Sequence, residues 1–152
     1  MTASWTSKLQ RDRREHRTVL TAAFAGIRPG SVLYVSTPQR LDDELRAVPP
    51  GTTISVVELR DRLAAVNDAD ATCPTTTAIF LRIVAEAALE QHAAGAPLDE
   101  VTPFWRVVDP DSALARKLGC GPGFIERQRA RESTPAAADA ARAAAPPGRA
   151  GP

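Results

Sequence analysis

Apolar positions recur at helical spacing through the middle of the chain. Ile79, Ile83 and Ala87, beside Phe80, Val84 and Ala88, form two adjacent i, i+4 rows that predict the longest helix, with one face on a core. Thr72-Cys73-Pro74 opens it, with proline near the first helical position, and Gly95 and Pro97 end it. Ser55-Val56-Val57-Glu58 has capping-box spacing, and Leu59, Leu63 and Val66 continue one apolar face, which predicts a helix over about 56–66. Thr37-Pro38 caps a further helix that runs to about Ala47 and is stopped by Pro49-Pro50-Gly51. Ser31–Ser36, rich in Val and Tyr after Pro29-Gly30, reads as a short strand. Thr102–Val108 reads as a short aromatic extended segment, 112–118 as a helix or turn, and about 124–132 as a polar helix.

The two ends break this pattern. Trp5–Arg17 is polar and basic, with Trp5 and Leu9 at i, i+4, and reads as an arm or a short helix lying on the body. Ser133–Pro152 is mostly Ala, Pro, Gly and Arg, has no large apolar residue to bury, and reads as a disordered tail. The expected organisation is a basic arm (1–19), a strand–helix region (20–47), a main domain (48–132) and the tail (133–152). The expected fold class is mainly α (α+β). Two helices separated by 67–73 and followed by an extended segment suggest a winged helix-turn-helix-like domain with short β elements.

Charge changes the picture more than bulk composition does. The 152 residues are 43% hydrophobic, enough for a core, and carry 19 Lys+Arg against 18 Asp+Glu. A net charge of +1 excludes a uniformly basic protein that coats DNA by neutralising phosphates. The average hides a segregation: 8–28 is net +4, 40–70 and 71–100 are each net −3, and 101–132 is net +2. The two basic stretches form one face only if the fold brings them together.

Cys73 and Cys120 form no C-x-x-C pair, and His16 and His92 are far from both in sequence, so neither a metal nor a cofactor is expected. No run approaches the ~20 apolar residues needed to cross a bilayer, and Met1–Arg17 has no apolar signal-peptide core. A cytoplasmic protein with reduced thiols is the expectation.

Two ordered motifs carry a resemblance. The run from Val48-Pro49-Pro50-Gly51 through Ser55-Val56-Val57-Glu58-Leu59 resembles the opening of the helix-turn-helix in the DNA-binding domain of the O6-alkylguanine-DNA alkyltransferases. Pro103-Phe104-Trp105-Arg106-Val107-Val108 resembles that family's Pro-Cys-His-Arg-Val-Val active-site segment, and Phe124–Glu132 its closing helix. The resemblance covers roughly 48–132. Alkyl transfer needs a thiolate, yet Phe104 and Trp105 stand where the family has Cys and His, which excludes transfer at that position.

Loss of that cysteine is the mark of the alkyltransferase-like proteins, which bind O6-alkylguanine DNA without repairing it and pass it to nucleotide excision repair. The resemblance therefore implies a non-catalytic protein whose partners are double-stranded DNA, alkylated in the family's case, and excision-repair proteins. Pro103, Phe104, Trp105, Arg106 and Val56 would form the lesion pocket, and Thr53, Ser55, Cys73, Thr75, Thr76 and Thr77 would contact DNA. Val56 stands at the family's nucleotide-rotating Tyr, and the long helix opens without the family's Arg.

The residues also admit plainer roles. The threonines at 75–77 either contact DNA or satisfy their own helix start. Two adjacent aromatics in an extended segment point to opposite sides, so one of Phe104 and Trp105 is expected in the core and the other on a functional surface. An alternative function is a repurposed winged-helix domain that binds a protein or small ligand through that surface, a reading the acidic middle favours. A third is a thiol enzyme using Cys73, since a helix N-terminus activates a thiol. A helix face ringed by Asp42, Asp43, Glu44 and Asp61 would repel phosphate and count against DNA.

Overall fold

The structure, a computed structural model, describes residues 4–133. The expected tail thus lies, apart from Ser133, outside the described residues. The architecture is mixed α+β: more helix than strand, with one small open sheet. Helix α1 (Trp5–Gln10) leads to strand β1 (His16–Val19), which pairs antiparallel with β2 (Val32–Val35). Helices α2 (Pro38–Arg46) and α3 (Val56–Val66) then form the crossover to β3 (Ala71–Thr72), parallel to β2. Helix α4 (Pro74–Ala93), a 3-10 turn (Phe104–Arg106), α5 (Ala113–Lys117) and α6 (Gly121–Glu132) complete the order.

Local chemistry sets the starts of the helices. Thr37 Oγ1 accepts the Arg40 amide at 3.1 Å and Pro38 takes the first helical position of α2. Ser55 Oγ accepts the Glu58 amide at 3.0 Å at the start of α3. Each oxygen satisfies an amide that has no partner within its own helix. The apolar face of α3 is Leu59 and Leu63; Val66, expected to continue it, is exposed at the last turn. Helix α4 is the centre of the core and buries Phe80, Leu81, Ile83, Val84, Ala87 and Ala88. Ile79, expected in the buried row, is instead 54% exposed.

The basic N-terminal stretch is part of the fold. Helix α1 packs on α4, with Trp5 and Leu9 against the core, and β1 supplies a sheet edge. Strand β3 is two residues long and is held to β2 by flanking bonds. Asp70 exchanges bonds with Val32 through its carboxylate and its amide, both 2.8 Å, and the Cys73 amide donates to the Tyr34 carbonyl at 2.8 Å.

The Thr102–Val108 stretch is not extended. Amides of Arg106 and Val107 donate to Pro103 and Phe104 carbonyls at 3.1 and 3.0 Å, winding it into the 3-10 turn. Both aromatics are consequently inside: Phe104 is 0% exposed and Trp105 1%, so the in-and-out alternation of a strand does not apply. Phe104 stacks on Phe124 of α6 at 5.9 Å between ring centres, and Trp105 meets both rings edge-on.

Arg106 fastens this turn. Its guanidinium makes a forked pair with Glu132 at the end of α6, closest at 2.7 Å, and donates to the Val48 carbonyl at 2.7 Å. Its own carbonyl accepts the Ile54 amide at 2.9 Å. Gly51 closes the set: its amide reaches Glu132 Oε2 at 3.4 Å, and its φ is +81°. A Cβ there would stand 3.2 Å from the Glu132 carbonyl oxygen, so both the backbone angle and the space favour glycine.

Burial by itself pushes the Glu132 carboxyl up. The hydrogen bonds and charge of Arg106, the nearby Trp105 indole and the Gly51 amide outweigh it and hold the carboxyl below the usual glutamate value. The pair therefore adds stability above the unfolded glutamate value of about 4.3 and loses it as pH falls through the depressed folded value. Replacing Arg106 with Met strands a buried carboxylate and should cost about 3 kcal/mol at pH 7. Urea unfolding should show this deficit narrowing as the solution is acidified.

Candidate functional site

A groove of about 1020 Å³ opens where α1, α3, α4 and α5 meet. One wall is α1 and the segment after it, with Trp5, Lys8, Arg11 and Arg13. The opposite wall is α5 and its approach, with Asp109, Leu114 and Lys117, backed by Arg129 of α6. Thr53–Glu58 at the start of α3 and Ala78–Ile83 of α4 lie between them. Its lining charges are Lys8, Arg11, Arg13, Arg82, Lys117 and Arg129 against Glu58 and Asp109. Ile54, Leu81, Ile83, Val107 and Val108 form a buried apolar base, above which Val57 and Ile79 are each 54% exposed.

The α1 wall is held by aromatic and acidic contacts. The Lys8 Nζ lies 4.3 Å, and the Arg82 guanidinium carbon 5.4 Å, from the centre of the Trp5 ring. The Arg13 guanidinium carbon lies 5.1 Å from the Phe80 ring centre. Glu90 of α4 accepts the first amides of α1, Trp5 at 3.1 Å and Thr6 at 3.2 Å. A carboxylate at a helix start meets amides with no partner in the helix and the positive end of its dipole.

On the far wall, Arg129 donates to the Trp105 carbonyl at 2.6 Å and the Val108 carbonyl at 3.0 Å, which fixes the guanidinium behind the turn. Among the described residues, the side chains of Arg11 and Lys117 have no hydrogen bond or ion pair. They are available to a ligand without breaking a contact.

The expected site residues divide between this groove and the interior. Thr53, Ser55 and Val56 line the groove. Pro103, Phe104 and Trp105 are buried and do not line it, and Arg106 is spent on Glu132 and Val48. The expectation of a pocket wall at Phe104 and Trp105 is corrected by their burial in the aromatic cluster.

Thr77 is fully buried and its hydroxyl donates to the Cys73 carbonyl at 2.6 Å; Thr76 Oγ1 reaches the same carbonyl at 3.5 Å. Those hydroxyls serve their own helix start, so burial removes Thr77 as a DNA contact. Thr75 is exposed but lies outside the groove. Cys73 is 5% exposed and does not line the groove either, so it presents no thiol to a substrate there. Cys120 is half-buried, and burial pushes its thiol up, away from a reactive thiolate.

The residues that do line the walls, Lys8, Arg11, Arg13, Lys117 and Arg129, come from the two basic stretches of the sequence. Their charge segregation was the available signal; which side chains face the groove depends on the packing of α1. A second, polar cleft of about 320 Å³ lies beside β1, where the Tyr34 hydroxyl donates to Glu15 at 2.5 Å. Among the described residues there is no cluster of three or more His, Cys, Asp or Glu that could hold a metal, and no helix is long and apolar enough to cross a membrane. No family model, curated protein or solved structure matches the chain.

Glu90 links the α1 wall to pH. The Thr6 hydroxyl, the amides of Thr6 and Trp5 and the Ser4 hydroxyl hold its carboxyl below the usual glutamate value, against burial. Docking of α1 is thus favoured above the ordinary value of about 4.3 and weakens as pH falls through the depressed one. Hydrogen exchange should show residues 5–10 losing protection in acid before α4 does, and Trp5→Ala should produce that loss already at neutral pH.

Proposed function

We propose that the chain is a non-catalytic DNA-binding protein of the alkyltransferase-like type, and that it grips DNA in the groove between α1, α3 and α5. In this reading α3, the 67–73 link and α4 correspond to the helix-turn-helix, and the 3-10 turn to the alkyltransferase segment that bears the nucleophile. The wing-like element would be that turn rather than a strand. Phe104 in the nucleophile position supports binding without alkyl transfer, since a phenyl ring accepts no alkyl group.

The observation that carries the reading is the meeting of the two basic stretches on one groove. Lys8, Arg11 and Arg13 come from one, Lys117 and Arg129 from the other, and Arg82 adds a cation from the acidic middle. A near-neutral chain thereby concentrates positive charge at one place, which suits a short array of phosphates. Glu58 and Asp109 line the groove beside these cations, but Asp42, Asp43, Glu44 and Asp61 do not. Asp42 is paired with Arg46 and bonded to Thr102, and Glu44 is paired with Arg40. With Phe104 and Trp105 inside, the aliphatic base of the groove takes the part expected of the lesion pocket.

Fluorescence anisotropy with a duplex carrying one O6-methylguanine, and its unmodified counterpart, tests the reading at moderate salt. Binding should weaken with salt in proportion to about four or five phosphate contacts. Lys8→Glu with Lys117→Glu should weaken it tenfold or more, and Thr75→Ala should leave it unchanged. Tighter binding of the methylated duplex is the expected result, with no mass added to the protein. Equal affinity for both duplexes removes lesion recognition, and failure to bind either removes duplex DNA as the ligand.

A further inference from the structure

We infer that the groove takes a DNA strand whose bases are already unpaired, in preference to an intact duplex; this rests on the DNA-binding reading above. Two side chains in the groove have no part in phosphate binding. Val57 in the first turn of α3 and Ile79 on α4 are each 54% exposed, and both lie inside the basic groove. Exposed apolar residues scattered singly are ordinary, but these two stand among cations, an arrangement suited to a ligand with an apolar face and anionic flanks.

An intact duplex offers phosphates on its outside and keeps base faces stacked within. Its base faces reach an aliphatic side chain only after extrusion, which costs unstacking and unpairing energy, least for a base that is already single-stranded. Most of the groove's cations are already engaged. Its aromatic residue, Trp5, has its ring against Lys8 and Arg82. Arg13 lies over Phe80 and Arg129 is fixed on two carbonyls. These cations are pre-positioned to receive phosphates rather than to enter a base stack.

An unpaired strand presents both chemistries at once, phosphates to the basic walls and base faces to Val57 and Ile79. Single-strand sites generally pair a basic groove with aromatic stacking platforms; here the cations are present and Val57 and Ile79 offer aliphatic faces in place of aromatic ones.

Three labelled DNAs of one sequence, titrated against the whole chain, test this: a single strand, the matched duplex, and the duplex with a central unpaired bubble. Single strand and bubble should bind at least tenfold tighter than the matched duplex. Val57→Ser with Ile79→Ser should weaken single-strand binding three- to tenfold and matched-duplex binding by a smaller factor, with the same urea midpoint as the parent. Matched duplex bound as tightly as single strand overturns the inference while leaving DNA binding in place. Variant protein that binds single strand as well as the parent does overturns it too. Failure of all three DNAs to bind overturns the inference together with the reading beneath it.

Discussion

The buried fork between Arg106 and Glu132 is the constraint on which the rest of the molecule turns. Arg106 touches the Val48 carbonyl and the end of α6 through its guanidinium, and it holds Ile54 through its carbonyl. Those bonds fix where the chain between α2 and α3 runs, and so where α3 begins. A buried ion pair contributes little net stability compared with an apolar replacement, because desolvation offsets the attraction. What this pair supplies is position: it joins three stretches far apart in sequence, and Gly51 lets the backbone approach Glu132 closely enough to share the carboxylate. The aromatic cluster of Phe104, Trp105 and Phe124 then packs around a turn whose place is already set.

The groove is a consequence of that placement. The start of α3 forms part of its lining because Ile54 is tied to the turn, and Arg129 stands behind the far wall because the same turn gives it two carbonyls. The other wall is independent of the fork. It depends on Trp5 lying against Lys8 and Arg82 and on Glu90 receiving the first amides of α1. Positive charge from both ends of the folded region thus lines one groove.

Much of the helical framework was legible in the sequence because its signals are local. Thr37-Pro38 and Ser55 to Glu58 place helix starts through bonds spanning three residues, and both starts are observed. The strands were harder. His16–Val19 is exposed at all four positions and so has no apolar alternation, and Ala71-Thr72 is too short to have a pattern. Val66 and Ile79 obey helical periodicity yet are exposed, because the neighbouring elements do not extend over them. Thr102–Val108 misled for the opposite reason: with Phe104 and Trp105 both covered, burial carried no information about backbone form. Of the groove lining, Thr53, Ser55 and Val56 were singled out by the resemblance to the helix-turn-helix opening, whereas Val57 and Ile79 looked like part of a helix start and a core row. The cations were visible only as net charge, since nothing local tells α1 to lie on α4.

In the proposed function the groove, and not the start of α4, meets DNA. Amide chemical shifts of the isotopically labelled chain, followed while a short DNA strand is added, test it most directly. The largest shifts should fall in residues 5–13, 53–58 and 107–117, which line the groove. Shifts centred on Thr75 and Thr76 at the start of α4, or none at saturating DNA, would contradict it.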